Sequence, residues 1–413
     1  MQLYLEDSSS VGFLLFLEMD HYIAENNNND TMLTLGNLFE QDLPSAYILP
    51  VYPSPFNDNF RFKNKTKYRI FNDPQTTSDP IRFLVPLRFC CIAGNELPIL
   101  VHKLPSEFLS AHWKKWLPHF IEPVMKTIDE GIADKNPLIT SFPLEEIPEE
   151  KHAVDPDMHY HILEKKAIPE IGVPYPKYFT EENIVFPCMI KLNQSTSLSG
   201  YRNYVTWNRE EFENVSKMVK GIFGADVSYI ISEFIQDVRA TLDCSFYVTK
   251  SGRIIWIGVQ ECVMEGYGYV AGTVDWHLQE QYRERLYDKY VVPVAAYLHK
   301  KGYFGIVGID IITSPSGDYL TDLNPRLNGD TQFIMLAASM AKLGLSKSLF
   351  QMCVSFDVSG EQLVKKANSI NETSAGRVVI IASADEECYA AVSVFADSMK
   401  LAESLYASLC SKD

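Results

Sequence analysis

A tight β-hairpin is predicted for residues 308–326, where apolar residues flank the turn sequence Ser-Pro-Ser-Gly. If the loop comprises Pro315–Gly317 and its glycine is left-handed, Asp310 pairs directly opposite Asp322. Side chains alternate along a strand, so Asn324 then lies on the same face as Asp322. A slip of one residue would separate the two aspartates. The prediction therefore depends on the register of this hairpin.

Two carboxylates directly opposed across strands repel each other, and a bound divalent cation reverses the sign of that interaction. Magnesium favours carboxylate and carbonyl oxygens together with substrate phosphates. Asp310, Asp322 and Asn324 are therefore candidate metal ligands, and Arg326 is placed to steady a phosphate or an oxyanion. The alternative is a solvent-facing hairpin with ordinary surface aspartates.

A second candidate is Lys191, in the apolar strand predicted at 186–192. Lysine is seldom fully buried without a partner, and here a loop of small residues follows. This pattern is typical of a lysine that contacts phosphate, although a lysine that snorkels at a strand end gives the same pattern. The loop residues predicted to bind the nucleotide are Ser195, Thr196, Ser197, Ser199 and Gly200.

A third candidate is the segment 229–237, an apolar strand that ends in Ser-Glu-Phe-Ile-Gln-Asp. Its backbone groups could face a purine edge, with Asp237 near a ribose, or it could be an ordinary core strand that runs into a turn. The residues predicted to contact the nucleotide here are Ser232, Glu233, Phe234, Ile235 and Asp237.

In this order the three segments resemble the ATP-grasp superfamily, in particular its carboxylate–amine ligases such as L-amino-acid ligases and D-alanine–D-alanine ligases. The resemblance covers about residues 155–345, and its most specific part is Asp-Leu-Asn-Pro-Arg at 322–326, which is similar to Glu-x-Asn-Pro-Arg. It implies ATP with Mg²⁺, two ions rather than one, and Mn²⁺ as an alternative metal. It also implies that Glu233 to Ile235 form the adenine-binding hinge. Lys191 and Arg326 would be the catalytic cations, with Arg326 steadying an acyl phosphate.

The sequence departs from the family pattern in three places. Asp322 stands where most relatives have glutamate, and Gly200 is a single glycine in a loop where relatives often have several. Many relatives also carry a second nucleotide lysine at the place where this sequence has His159 and His161. That contact is expected to be absent or to be supplied by a different residue.

The length and composition set the organisation. A chain of 413 residues predicts two or three domains, and 46% hydrophobic with 22% charged residues is ordinary for a globular protein. The fold predicted is α+β / α/β, an ATP-grasp fold of two α+β lobes preceded by an irregular α/β domain similar to a pre-ATP-grasp domain. The predicted domains are the N-terminal domain 1–150, the small lobe with its linker 151–232, the large lobe 233–345 and a closing subdomain 346–413.

Several helices and one strand are predicted with definite bounds. One amphipathic helix is predicted near 106–130, broken or kinked at Pro118 and Pro123, and another at 209–223 with Asn208 as its N-cap. A long helix is predicted at 278–301, stopped by Gly302. The tail is predicted to contain one strand, 377–382, and one helix, Ser393 to Ser408.

A net charge of −16 argues against a protein that binds a nucleic-acid backbone. The start of the chain has no basic n-region, and the apolar run 11–17 is too short to cross a bilayer, so a cytoplasmic protein without membrane contacts is expected. The expected partners are small-molecule carboxylates and amines, either free amino acids or a carrier-bound acyl group. A homodimer is left open.

The function implied is ATP-dependent formation of an amide or peptide bond through an acyl phosphate, with release of ADP and phosphate. The alternative within the same fold is an ATP-binding regulatory or scaffold protein with little or no turnover. A general α/β protein that binds no nucleotide is the third option.

Overall fold

The computed structural model describes residues 32–52, 79–193, 203–266, 268–385 and 388–411. Eleven α-helices in these ranges are labelled in chain order: α1 Leu35–Glu40, α2 Asp79–Cys90, α3 Glu107–Trp116, α4 Ile128–Ala133, α5 Pro156–Ile162, α6 Arg209–Phe223, α7 Gln279–Leu286, α8 Val292–Lys300, α9 Thr331–Ala341, α10 Gly360–Thr373 and α11 Met399–Cys410. The strands are β1 Tyr47–Leu49, β2 Ile99–Val101, β3 Met125–Thr127, β4 Leu138–Thr140, β5 Tyr178–Phe179, β6 Cys188–Leu192, β7 Asn203–Thr206, β8 Tyr229–Glu233, β9 Ala240–Val248, β10 Ile254–Glu265, β11 Gly268–Asp275, β12 Gly305–Ser314, β13 Gly317–Asn324, β14 Lys347–Ser355, β15 Arg377–Ala384 and β16 Tyr389–Ala396. No helix in these ranges is both long and apolar enough to cross a bilayer.

The first part of the chain forms a parallel four-stranded sheet in the order β3-β2-β1-β4, with helices between the strands. The helix predicted near 106–130 is broken at Pro118, the first of the two alternatives. Helix α3 ends at Trp116, and Leu117 is extended because the following Pro118 disfavours a helical residue before it. A strand and then the separate helix α4 follow, and Thr127 caps α4 in a capping box.

The small lobe is an antiparallel sheet in the order β5-β8-β6-β7, covered by α6. The predicted helix 209–223 is confirmed, and the Asn208 side chain accepts a hydrogen bond from the Glu211 backbone N–H as expected of an N-cap. Along β6, Cys188, Ile190 and Leu192 are buried, while the residues between them face the other side. This alternation places Lys191 on the uncovered face of the lobe.

The large lobe is an eight-stranded sheet in the order β13-β12-β9-β10-β11-β14-β16-β15. Its hairpin β12–β13 turns through Pro315–Ser316, since Ser314 already pairs with Gly317. The loop is one residue shorter than predicted, but a β-bulge, at the step from Asp310 to Ile311 in the strand pairing, restores the predicted register. Asp310 therefore pairs with Asp322, as the sequence predicted.

The predicted long helix is present from α7 to α8, with a π-helical turn at Tyr287–Val291 in its middle. Pro293 lies in the first turn of α8, and because proline has no N–H it cannot complete the regular hydrogen-bond ladder there. Gly302 follows the helix at a φ of 87°, which confirms the predicted stop.

The tail differs most from its prediction. The predicted strand is present as β15, but the predicted helix Ser393 to Ser408 begins only at Met399, because residues 389–396 form strand β16. Seven of the eight residues of β16 are buried, so the strand shows no alternation and its alanines suggest a helix. Strands β14, β16 and β15 extend the large sheet, while the proposed domain boundaries themselves stay a prediction.

Replacing Phe350 by alanine tests whether the tail belongs to the core of the large lobe. Phe350 on β14 is fully buried and stacks on Phe333 of α9 at a centroid distance of 5.0 Å. We expect Phe350→Ala to lower the free energy of unfolding by ~3–5 kcal/mol in a denaturant titration. Val358→Ala, at an exposed position, is the control and should change stability by less than ~0.5 kcal/mol. Equal stability of the two variants would contradict this packing.

Candidate functional site

A cavity of about 810 Å³ lies between the small and the large lobe. This volume falls within the usual range for ligand-binding clefts, ~300–1,000 Å³. The cavity brings together most of the residues singled out in the sequence: Lys191, Ser232, Glu233, Phe234, Ile235, Asp237, Asp310, Asp322, Asn324 and Arg326. The loop residues Ser195, Thr196, Ser197, Ser199 and Gly200 lie outside the described residues.

A row of polar side chains crosses the wall of the cavity on four neighbouring strands. Asp322 pairs with Asp310, Asp310 with Asp243, and Asp243 with Gln260. Residues directly opposite one another share a face of the sheet, and all four line the cavity. With strands spaced ~4.8 Å apart, the row is ~14 Å long. It joins the hairpin to a second polar region that the sequence did not predict.

Two lysines lie at the hairpin end of the row. Lys165, in the 3₁₀ segment Lys165–Ile171, places its Nζ 2.6 Å from Asp322 Oδ2, and its side chain is only 12% exposed. Burial, together with the nearby charge of Lys165, lowers the pKa of Lys191 to about 8. Two partly buried cations that repel each other favour a bound anion, which suits a polyphosphate.

The carboxylates of the row repel one another. Burial raises the pKa of Asp310 to about 7, and the charges of Asp322 and Asp330 add to the rise. Burial also raises the pKa of Asp243 well above its ordinary value, again with Asp330 and Asp310 contributing. The pKa of Asp322 is lowered, because the charge of Lys165 and the hydrogen bond from it outweigh the opposing effect of burial.

The donor set is suitable for magnesium bound together with a nucleotide. Asp310 and Asp322 offer carboxylate oxygens on paired strands, and Asn324 lies beside them with its Nδ2 3.5 Å from Asp310 Oδ2. In the part of the chain that the structure describes, no three His, Cys, Asp or Glu side chains form a ready-made metal cage. Magnesium usually takes one or two carboxylates and completes its shell with phosphates and water, so a cage is not required.

Arg326 is fixed from both sides. Its Nη2 donates to Asn324 Oδ1 at 2.9 Å, its Nη1 donates to the Tyr52 hydroxyl at 3.0 Å, and its guanidinium lies over the rings of Tyr52 and Phe142. Its Nε is buried and has no hydrogen-bond partner. Tyr52 and Phe142 therefore hold the guanidinium in one orientation at the cavity wall, with one of its donors unpaired.

His159 contacts the backbone next to this arginine. It is 1% exposed, burial lowers its pKa to about 4, and its Nε2 lies 2.9 Å from the carbonyl oxygen of Pro325. His159 is therefore a core histidine, although nothing in the local sequence distinguishes it from a surface one. A neutral His159 donates from Nε2 to that carbonyl, which holds the backbone immediately before Arg326.

The hinge candidate lies where β8 leaves the small lobe. Ser232 is buried with its Oγ unpaired, and Ile235 is 7% exposed. The ring of Phe234 packs edge-on against Trp207 at 5.8 Å, and Asp237 adopts a positive φ of 53°. Apolar walls with free polar groups between them suit a planar aromatic base.

Several site residues were missed. Asp243 and Gln260 each interrupt an apolar strand, which is the same signal that identified Lys191. The others, Lys165, Asp330 and Tyr52, are brought to the cavity by tertiary structure and show no local pattern. Lys165 is four residues beyond His161, where the resemblance led us to expect a missing or displaced lysine.

Comparisons with known proteins agree on the class. The family model of the ATP-grasp domain of L-aspartate–L-methionine ligase matches residues 175–324. A search of curated protein sequences finds no match. Among solved structures, an ADP complex of N5-carboxyaminoimidazole ribonucleotide synthetase superposes with a TM-score of 0.51 at 12% identity, covering 92% of this chain and 97% of that chain.

Two further structures share the fold. The biotin carboxylase domain of 2-oxoglutarate carboxylase from Hydrogenobacter thermophilus, with ADP, its magnesium salt and bicarbonate, has 13% identity and a TM-score of 0.51, covering 89% of each chain. N5-carboxyaminoimidazole synthetase from Staphylococcus aureus, with ADP, has 9% identity and a TM-score of 0.50, covering 92% of this chain and all of that chain. The fold is therefore the ATP-grasp fold, as predicted. Within it, residues 175–324 match the ATP-grasp domain model.

Proposed function

We propose that the protein is an ATP-dependent ligase that joins the carboxylate of one amino acid to the amine of another. The observation that carries this proposal is the convergence of Lys165, Lys191 and Arg326 on the Asp310–Asp322 pair in one cavity. Amino acids are the substrates we favour, because the matching family model is that of a ligase of L-aspartate and L-methionine.

The cations of the site act on phosphate. A substrate carboxylate attacks the γ-phosphorus of ATP, the bond to the leaving ADP oxygen breaks, and an acyl phosphate forms. Lys165 and Lys191 neutralise the phosphate charge during this transfer, and the guanidinium of Arg326, which lines the same cavity, stabilises the transferred group. The amine of the second substrate then attacks the acyl carbon, and phosphate leaves.

Asp310, Asp322 and Asn324 would hold magnesium together with the nucleotide, and the ion would supply charge neutralisation to the β- and γ-phosphates. For Asp322 to take this part, Lys165 must exchange its carboxylate partner for a phosphate oxygen. Such an exchange preserves the charge balance, because each lost ion pair is replaced by another. The hinge from Ser232 to Asp237 would receive the adenosine.

An ADP-release assay separates the alternatives. We expect ADP release to rise at least about tenfold when pairs of amino acids that include L-aspartate and L-methionine are added in the presence of Mg²⁺, with a dipeptide as product. Binding of ATP without any stimulation by a pooled set of amino acids and small carboxylates would favour the regulatory or scaffold alternative. Failure to bind ATP at all would remove the nucleotide assignment.

A further inference from the structure

Arg88, near the end of α2 in the N-terminal domain, is a buried cation that the proposed reaction does not use. It is 3% exposed, and burial lowers the pKa of its guanidinium. Its Nε has no hydrogen-bond partner, and none of the hydrogen bonds or ion pairs found among the described residues engages the guanidinium. A buried charge without a partner is costly, and arginine cannot relieve the cost by losing its proton.

The guanidinium lies directly behind the cavity wall. A Cβ at Gly329 would come within 3.6 Å of Arg88 Nη1 and 2.7 Å of Met352 Cε, and both Gly329 and Met352 line the cavity. The charged and polar groups that act on Arg88 include Asp330, Tyr52 and Tyr269, which line the same cavity. Gly329 and Met352 are therefore the part of the cavity wall that lies next to the guanidinium.

This region forms the Gln260 end of the polar row, away from the two lysines. Gln260 Nε2 donates to Asp330 Oδ2 at 2.7 Å. Asp330 occupies the N-cap position of α9, but its side chain makes no capping hydrogen bond there. Asp243 adds a second carboxylate with an unpaired Oδ1. This end of the cavity thus combines one buried cation behind the wall with two carboxylates in the lining, a charge pattern that complements a zwitterion.

We propose that Arg88 binds a carboxylate of an amino-acid substrate that is not the one activated by ATP, and so fixes that substrate at the Gln260 end of the cavity. The proposal rests on the proposed ligase function. Arginine suits this task, because its planar fork matches a carboxylate in two parallel hydrogen bonds. The carboxylate can come from the amine-donating amino acid or from a second carboxylate of the acyl donor.

Calorimetric binding to the full chain, with ADP and Mg²⁺ present, distinguishes the two sources. The probes are two acid–amide pairs, L-methionine with L-methioninamide and L-aspartate with L-asparagine. We expect the wild-type protein to bind the acid of at least one pair about 10- to 100-fold more tightly than its amide, and Arg88→Met to reduce that preference to within about twofold. The pair that loses its preference identifies the source of the carboxylate.

Two further variants keep the test interpretable. Arg285→Met, on the large lobe outside the cavity lining, is the matched control and should retain the preference. Arg88→Met should melt no lower than the wild type, because it replaces an unpaired buried charge by an apolar side chain. Should it fail to fold, Arg88→Lys carries the test, with an expected loss of preference of at least about fivefold.

The proposal is overturned if neither pair shows an acid preference in the wild type, or if the preference survives in Arg88→Met. These outcomes are independent of the ligase proposal, because binding is measured without turnover. Absence of amino-acid-stimulated ADP release with an intact, Arg88-dependent preference would remove the reaction and keep the carboxylate site.

Discussion

Arg326→Ala is expected to lower the rate of amino-acid-stimulated ADP release by about 100- to 1,000-fold, the usual effect of removing one preorganised charge-stabilising donor. The loss should appear in kcat as well as in kcat/KM, because the role proposed for Arg326 is to stabilise the group in transfer rather than the resting substrate. Arg326→Lys keeps the charge and loses the planar fork, so an intermediate rate is expected. Steady-state kinetics of the three proteins provides the measurement.

Arg285→Ala is the matched control for this experiment. Arg285 makes a bidentate ion pair with Asp318 on the same hairpin, 2.5 and 3.0 Å long, but its side chain is 47% exposed and lies outside the cavity lining. We expect its turnover to stay within about twofold of the wild type, since exposed pairs contribute little. An Arg326→Ala protein that is folded by thermal melting and keeps more than a tenth of the wild-type rate would refute the assignment of Arg326.

The hairpin shows how far local sequence can lead. The alternation of apolar and polar residues around one turn was enough to place Asp310 opposite Asp322. The sequence does not reveal that the turn is one residue shorter and that a bulge offsets the difference, because two alternative turns fit the same Ser-Pro-Ser-Gly sequence. The pairing was right because the bulge cancelled the difference, and only the hydrogen bonds of the folded sheet reveal such a compensation.

The polar row could be predicted from the sequence only in part. A polar residue inside an apolar strand is visible in the sequence, so Asp243 could have been flagged by the logic applied to Lys191. Its position beside Asp310 could not have been predicted, because β9 and β12 are separated by more than 50 residues and are neighbours only through the sheet order. Arg88 is harder still to identify from the sequence, since an arginine in a helix is usually exposed and only the structure shows that this one is buried.

The tail illustrates a different limit. A strand that is covered on both faces loses its alternation, and residues 389–396 are rich in alanine and valine. Such a run fits a buried helix as well as a central strand, and the pattern alone does not decide between them. The sheet resolves the ambiguity, because β16 lies between β14 and β15 and satisfies the backbone groups of both.

Asp310→Asn separates the chemistry of the site from its contribution to stability. The substitution is nearly isosteric and removes the negative charge opposite Asp322. The pKa of Asp310 is raised to about 7 in the folded protein, above its ordinary value near 4, so at pH 8 its ionised form destabilises the metal-free fold. Asn cannot ionise, and we therefore expect the metal-free variant to melt at the same temperature as the wild type or higher.

The same substitution should remove Mg²⁺-dependent ADP release, with a loss of at least about 100-fold, and should weaken the thermal stabilisation by magnesium and ATP. Asp318→Asn is the matched control on the same hairpin. It breaks the ion pair with Arg285, so it should cost ~1 kcal/mol or less in stability and keep its turnover. The two substitutions thus have opposite expected effects, and melting curves with parallel ADP-release assays measure both. Mg²⁺-dependent turnover near the wild-type rate in Asp310→Asn would contradict the metal site, because the substitution removes one of the two carboxylates proposed to hold the ion.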